Sequence, residues 1–232
     1  YTYFTWRNAK WELEQYFTEL SQTCVREFFR PNLWPNTPDI LHATLQEGGR
    51  PAFMIRLLLA ATLGANYGIY GPVFELCENT PRAPGVEENL NSEKYEIRHW
   101  DLDQPHSLAE LIGRINRIRR AHPALQWDWS LHFHPVENDN LICYSKTTED
   151  LSDTILVAVN LDPHNTQDGW VHLSLEVLGI LPDEDYQVHD LLTGARYPWH
   201  GAHNYVKLDP HVLPAHVFEV IRKTPESQDT SS

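Results

Sequence analysis

One carboxylate in this chain stands where a reaction can use it. Asp39 closes the run Asn36-Thr37-Pro38-Asp39, directly after a strand-like segment from Phe28 to Trp34. At the C-terminal end of a parallel strand, an acid lies on the face where barrel enzymes gather their catalytic groups. From spacing alone, the ordinary reading is a turn or N-cap aspartate ahead of Ile40-Leu41. A second cluster, Ser92-Glu93-Lys94-Tyr95-Glu96-Ile97-Arg98, sets an ammonium beside a phenol. Lys94 can meet a phosphate with charge, and Tyr95 can offer a ring or hydroxyl to a sugar. Its ordinary alternative is a solvated charged turn. His132 and His134 fall on one face of a strand, yet no third ligand follows at metal-binding spacing, so no metal site is expected. The sequence has no Gly-rich phosphate loop and no G-x-S-x-G elbow.

These residues need elements to hold them. The first half alternates strand-like and helix-like stretches. Tyr1–Thr5 is aromatic and Thr-rich, a strand pattern. Lys10–Thr23 puts Trp11, Tyr16, Phe17 and Leu20 near one helical face. Arg50–Leu63 reads as a buried helix with Pro51 in its first turn and Gly64 at its C-cap. A short strand is expected at Asn66–Tyr70, then a long loop over 75–104. Ser107-Leu108-Ala109-Glu110 is a capping-box pattern opening a helix with the stripe Leu108, Leu111, Ile112, Ile115, Ile118. Strand, helix, strand, helix, strand is an α/β order that implies parallel strands.

After about Gln126 the texture changes. Leu141–Lys146, Thr154–Asn160, Gly169–Leu175, Tyr186–His189, Tyr205–Leu208 and His216–Ile221 are short apolar or β-branched runs between turn residues. That spacing predicts an all-β sandwich. The boundary falls between Pro123 and Trp129, and residues 224–232 read as a flexible tail.

Composition narrows the function classes. The net charge is −14, and residues 126–232 hold 17 acidic against 5 basic side chains. Such a surface repels the phosphate backbone, so nucleic-acid binding is not expected. Three cysteines, far apart and in no CxxC pair, fit a reducing compartment. The most apolar stretch, Ala52–Ala65, carries Arg56 and is shorter than the ~20 residues a membrane span needs. The chain opens at Tyr1, without Met, straight into strand-like sequence. That pattern reads as a truncated start.

Taken together, Tyr1-Thr2-Tyr3-Phe4-Thr5-Trp6-Arg7-Asn8, Phe29-Arg30-Pro31-Asn32, Asn36-Thr37-Pro38-Asp39-Ile40-Leu41-His42, Ala60–Gly71 and Ser92–Arg98 with Trp100-Asp101 resemble the α-1,4-glucan:maltose-1-phosphate maltosyltransferases. These are members of the α-amylase superfamily. The resemblance runs in order from Tyr1 to about Gln126. Thr37-Pro38 stands where most α-amylase relatives carry the His of Asn-His-Asp.

The resemblance implies an α/β plus all-β fold: the C-terminal part of a (β/α)8 TIM barrel over residues 1–125, holding strands six to eight and their helices, then an antiparallel β-sandwich over 126–223. It implies maltosyl transfer from α-maltose 1-phosphate to the non-reducing end of an α-1,4-glucan, with retention. Retention uses a nucleophile and an acid/base, which in the family follow the fourth and fifth strands, upstream of this chain. By the same carry-over Asp39 is the transition-state stabiliser, and Lys94 and Tyr95 contact the phosphate side of the donor. No cofactor is implied. A cytoplasmic homodimer is expected of the whole enzyme, and no activity of the isolated chain. Two alternatives stay open: another α-amylase-type hydrolase or a trehalose-forming isomerase, and a non-catalytic glucan-binding module.

Overall fold

The computed structural model describes residues 2–90 and 97–222. Its first half holds α1 (Lys10–Gln22), β1 (Asn32–Leu33), α2 (Ala43–Leu63), β2 (Asn66–Tyr67), α3 (Gly71–Glu75) and α4 (Ala109–Ala121). β1 and β2 pair in parallel, Asn32 with Asn66 and Leu33 with Tyr67, and α2 makes the crossover. This is one βαβ unit, the repeat from which parallel α/β folds are built.

α2 is the centre of this half. Every residue from Ala52 to Leu63 is buried, so the helix is covered on all sides. It starts at Ala43, earlier than expected, and kinks at Gly49. There φ is +54°, a backbone state that favours glycine, and Pro51 opens the straight segment beyond. Arg56 sits in this apolar helix at 2% exposure. Its guanidinium donates to the carbonyls of Arg7 and Phe4, both at 2.6 Å, and lies over the Phe4 ring at 3.8 Å. The buried cation is thereby satisfied and fastens the N-terminal segment to the helix.

The expected strand at Tyr1–Thr5 is not formed. Tyr3–Trp6 is a 3-10 helix, capped by Thr2 Oγ1, which accepts from the Phe4 amide. A strand needs a neighbour's ladder, and no described strand pairs with this segment. Its polar groups close locally instead, as in Arg7 N–H to Phe4 O at 2.9 Å. The strand expected over Phe28–Trp34 shrinks to Asn32–Leu33, because Cys24–Glu27 is a 3-10 turn and Pro31 has no N–H to give. In α1 the buried stripe is Leu13, Phe17 and Leu20, while Trp11 is 66% exposed. The capping box at Ser107 is also absent. Leu108 is the N-cap, and the Ser107 hydroxyl instead accepts from Ala109 N–H and donates to Glu75. Gly64 ends α2 with extended rather than left-handed backbone. A Cβ there would meet Leu33 Cδ1 at 2.9 Å, so its smallness serves the closeness of β1.

The second half is antiparallel. β3 (His132–His134), β4 (Leu141–Thr147), β5 (Thr154–Asn160), β7 (Asp185–Asp190), β8 (Arg196–His200) and β10 (Ala215–Arg222) form one sheet in the order β3-β4-β5-β10-β7-β8. β6 (Gln167–His172) and β9 (His203–Leu208) form a separate two-stranded ribbon, and α5 (Leu175–Leu178) links β6 to β7. The central sheet is buried on both faces. Ile142, Tyr144, Ile155, Val157, Val159, Ala215 and Val217 join the core built by α2 and α4. Leu141, Cys143, Leu156, Ala158, Phe218 and Val220 alternate with them and pack against Val171, Val206 and Leu208 of the ribbon. Period-two alternation thus sends one strand's side chains into two cores.

Polar ties follow the shared core. Tyr144 and Thr62 hydroxyls meet at 2.6 Å. Asp128 accepts from Ala65 N–H at 2.7 Å, and Asp153 holds both His122 Nδ1 and Ala124 N–H. Lys146 is fully buried on the same face of β4, and its ammonium has no hydrogen-bond partner. Burial pushes it down to about 7; Asp128 opposes the shift and Arg119 adds to it. The folded pKa is thus below the ordinary 10.5. Between those values the unfolded chain binds more protons, so this group makes stability rise with pH. Lys146→Met should therefore stabilise the fold by ~1–4 kcal/mol at pH 6, with the gain fading as pH climbs from 7 towards 10.5. Denaturant unfolding at several pH values measures this, and a pH-independent gain would contradict the buried-ammonium account.

Candidate functional site

The C-terminal ends of β1 and β2 lie side by side, and the motif residues collect there. β1 runs into Trp34 and the tight turn Thr37–Ile40, whose ends exchange backbone hydrogen bonds at 3.1 and 3.2 Å. Asp39 is at the exposed tip of this turn, and its N–H donates to Thr37 Oγ1 at 3.3 Å. β2 runs into Gly68, whose N–H donates to Leu33 O at 2.9 Å. A Cβ on Gly68 would meet the Trp34 ring at 2.7 Å, so only glycine lets the two strand ends approach this closely. Asn36 bridges them. It is fully buried, and its Oδ1 accepts from Tyr70 N–H at 3.1 Å.

The loop after α3 holds the turn from the other side. Asn89, 5% exposed, donates from Nδ2 to the carbonyls of Thr37 and Pro38 at 3.1 and 3.4 Å. Glu87 O accepts from Leu41 N–H, and its carboxylate accepts from the Trp6 indole at 3.1 Å. Gln46 donates to Leu41 O and Val86 O at 2.7 and 3.0 Å, tying the start of α2 to the same loop. Asn8 Nδ2 meets His42 Nδ1 at 3.3 Å. Burial pushes the His42 imidazole below its ordinary value, and the Glu87 carboxylate partly offsets this. The segments 2–8, 34–42, 66–71 and 86–90 therefore converge, although Trp6 and Glu87 are 81 residues apart in sequence.

Two buried polar atoms there, Asn36 Nδ2 and Asn8 Oδ1, have no hydrogen-bond partner. Such groups cost stability unless something binds them. Chemically, the arrangement offers one exposed carboxylate on a rigid turn, flanked by amides and an imidazole. That is a hydrogen-bonding surface suited to hydroxyl groups, and among the described residues it has no built-in nucleophile–base pair.

Of the residues singled out in the sequence, Asp39 is at this centre. Lys94 and Tyr95 lie outside the described residues. Asn89, Glu87 and Asn8 carry much of the geometry, and spacing gave no sign of the first two beyond their place in the long loop. The His132–His134 pair shares one face, with ring centroids 5.0 Å apart. His134 is committed at both nitrogens, to Ser145 Oγ at 2.9 Å and Ser174 N–H at 3.1 Å. Among the described residues no group of three His, Cys, Asp or Glu is arranged to hold a metal ion, and no helix is long and apolar enough to cross a membrane.

Comparison with known proteins adds identity to this geometry. Residues 133–220 match the family model described as GLGE, C-terminal. The chain is 52% identical over 226 residues to an α-1,4-glucan:maltose-1-phosphate maltosyltransferase of Chlorobaculum tepidum, covering 95% of this chain and 34% of that protein. It is 49% identical over 220 residues to the enzyme of the same name from Methylacidiphilum infernorum, covering 95% and 33%. The chain thus spans about a third of the length of the curated relatives it matches. Among solved structures, an Anoxybacillus α-amylase superposes with a TM-score of 0.60 at 15% identity, over 84% of this chain and 39% of that one. That likeness is one of fold alone. Over the stretch it spans, the chain is homologous to the α-1,4-glucan:maltose-1-phosphate maltosyltransferases.

Proposed function

We propose that this chain carries part of the active site of a retaining maltosyltransferase that builds α-1,4-glucan. In this reading residues 1–125 supply the last strands and helices of a (β/α)8 barrel, with β1 and β2 as strands seven and eight. Residues 126–223 are its C-terminal β domain. The observation that carries the proposal is the Asp39 turn at the C-terminal end of β1, clamped by Asn89 and beside Asn36. That is where a barrel presents its catalytic groups. The full-length relatives' names supply the substrates: α-maltose 1-phosphate as donor, an α-1,4-glucan as acceptor.

The chemistry divides into two displacements. A carboxylate attacks C1 of the maltosyl donor as the C1–O bond to phosphate breaks, and phosphate leaves with that electron pair. The 4-hydroxyl at the glucan's non-reducing end then attacks C1, loses its proton to the acid/base, and frees the nucleophile. Nucleophile and acid/base come from strands four and five, which this chain does not include. Asp39 hydrogen-bonds the hydroxyls of the sugar whose C1 reacts and stabilises positive charge on that ring as it flattens. Lys94 and Tyr95 receive the phosphate. Two carboxylates suffice for these steps, so the reading calls on no cofactor. The whole enzyme is a cytoplasmic homodimer in this reading, and the isolated chain transfers nothing.

In the full gene product, Asp39→Asn should lower turnover by ~10²–10³, followed as phosphate released from α-maltose 1-phosphate in the presence of a short α-1,4-glucan. The unfolding midpoint should stay near that of the parent, and near-normal turnover would remove Asp39 from the site. Lys94→Ala should raise KM for the phosphorylated donor by about tenfold or more, the worth of one charge-assisted contact. An equal loss with an unphosphorylated maltosyl donor would contradict the phosphate role.

A further inference from the structure

The β6–β9 ribbon has a face that the fold does not use. Its inner side is Val171, Val206 and Leu208, buried in the second core. Its outer side is a ladder of three cross-strand pairs in register: Asp168 with Lys207, Trp170 with Tyr205, and His172 with His203. β9 alternates strictly, with His203, Tyr205 and Lys207 outward and Asn204, Val206 and Leu208 inward. Trp170 is 48% exposed and Tyr205 46% exposed. Their ring centroids are 5.5 Å apart with planes at 63°, so together they form an angled aromatic surface. Polar groups close both ends. The Tyr205 hydroxyl donates to Asp168, and His172 Nε2 meets Glu137 at 2.7 Å beside the His203 ring. By strand rise, the ladder is about 14 Å long.

We propose that this outer face of the ribbon is a platform that binds an α-1,4-glucan chain, separate from the Asp39 site; the choice of glucan rests on the maltosyl transfer proposed above. Large aromatic side chains left half in water contribute little to packing where they stand. Two obliquely set rings offer faces to the C–H surfaces of successive sugars, and the flanking carboxylate, ammonium and imidazoles offer hydrogen bonds to the hydroxyls. Charge selects among ligands. The half of the chain that carries the ribbon holds 17 acidic and 5 basic residues, so polyanions are repelled while a neutral glucan is not. A protein partner fits poorly. A stable interface covers ~800 Å² per side around an apolar centre, whereas here two rings are ringed by ionisable groups. Such a platform would hold a long glucan to the enzyme without touching the reacting end.

The test is native gel retardation of this chain in gels containing soluble starch, with maltoheptaose as competitor. The chain should be retarded, and maltoheptaose should restore its mobility. Trp170→Ala and Tyr205→Ala should each weaken the apparent affinity by about tenfold or more, with unchanged circular dichroism. Trp170→Phe should keep most of it, and Trp11→Ala, exposed on α1, all of it. Hydrogen exchange needs no variant: maltoheptaose should slow exchange in peptides from 167–172 and 203–208. An unretarded chain, alanine variants retarded like the parent, or protection confined to other peptides would overturn the platform. Retardation requires no turnover. Retardation of the chain with no maltosyl transfer by the full gene product would defeat the transferase reading alone, and transfer by the full gene product without retardation would defeat only the platform.

Discussion

A sheet buried on both faces governs this structure. β4, β5 and β10 cannot be satisfied by the β half alone, because half of their side chains point into the core made by α2 and α4. Those helices in turn find their covering in the sheet. Tyr144 and Thr62 mark the seam, where two buried hydroxyls satisfy each other across it. The sequence texture that separates the halves near Gln126 is a change of element type. The core runs through the boundary without interruption. This is why the position of α2 is fixed, and α2 is what fixes the candidate site. Its N-terminus follows directly on the Asp39 turn, and its buried Arg56 pins the segment that brings Trp6 and Asn8 into place.

The site itself is held by amides more than by charges. Asn36 joins the ends of the two parallel strands, and Asn89 fixes the carbonyls on either side of the Thr37–Pro38 bond. Glu87 ties the loop back to Trp6. A carboxylate on such a turn is pre-positioned, which is what transition-state stabilisation requires. Gly68 makes the arrangement possible, because a side chain there would drive the Trp34 ring away from the strand end. The partnerless amide of Asn36 belongs to the same picture, since a buried polar atom without a partner is tolerable where a ligand completes it.

What could be read from the sequence depended on how local its cause was. Apart from β8, the strands from β4 onward were legible to within two or three residues, because short apolar runs between turn residues determine them; β8, Arg196–His200, is largely exposed and carries no such run. The stripe of α4 was equally plain. The strand expected at Tyr1–Thr5 failed for a physical reason: strand formation is a property of a pair, and aromatic, Thr-rich composition does not supply the partner. The start of α2 was missed because Gly48-Gly49 reads as a break, whereas only Gly49 leaves helical geometry. In the site, Asp39 was visible through its motif. Asn89 and Glu87 were invisible because their roles depend on a long loop folding back across about 50 residues, which no spacing rule encodes.

The central claim is that Asp39 faces the sugar whose anomeric carbon reacts. A crystal structure of the full gene product with α-maltose 1-phosphate bound, the nucleophile disabled to prevent turnover, tests it most directly. The account predicts the Asp39 carboxylate within hydrogen-bond reach of hydroxyls on the phosphate-bearing glucose, with Lys94 and Tyr95 on the phosphate. A donor bound elsewhere, or bound here with Asp39 turned to solvent, would contradict it.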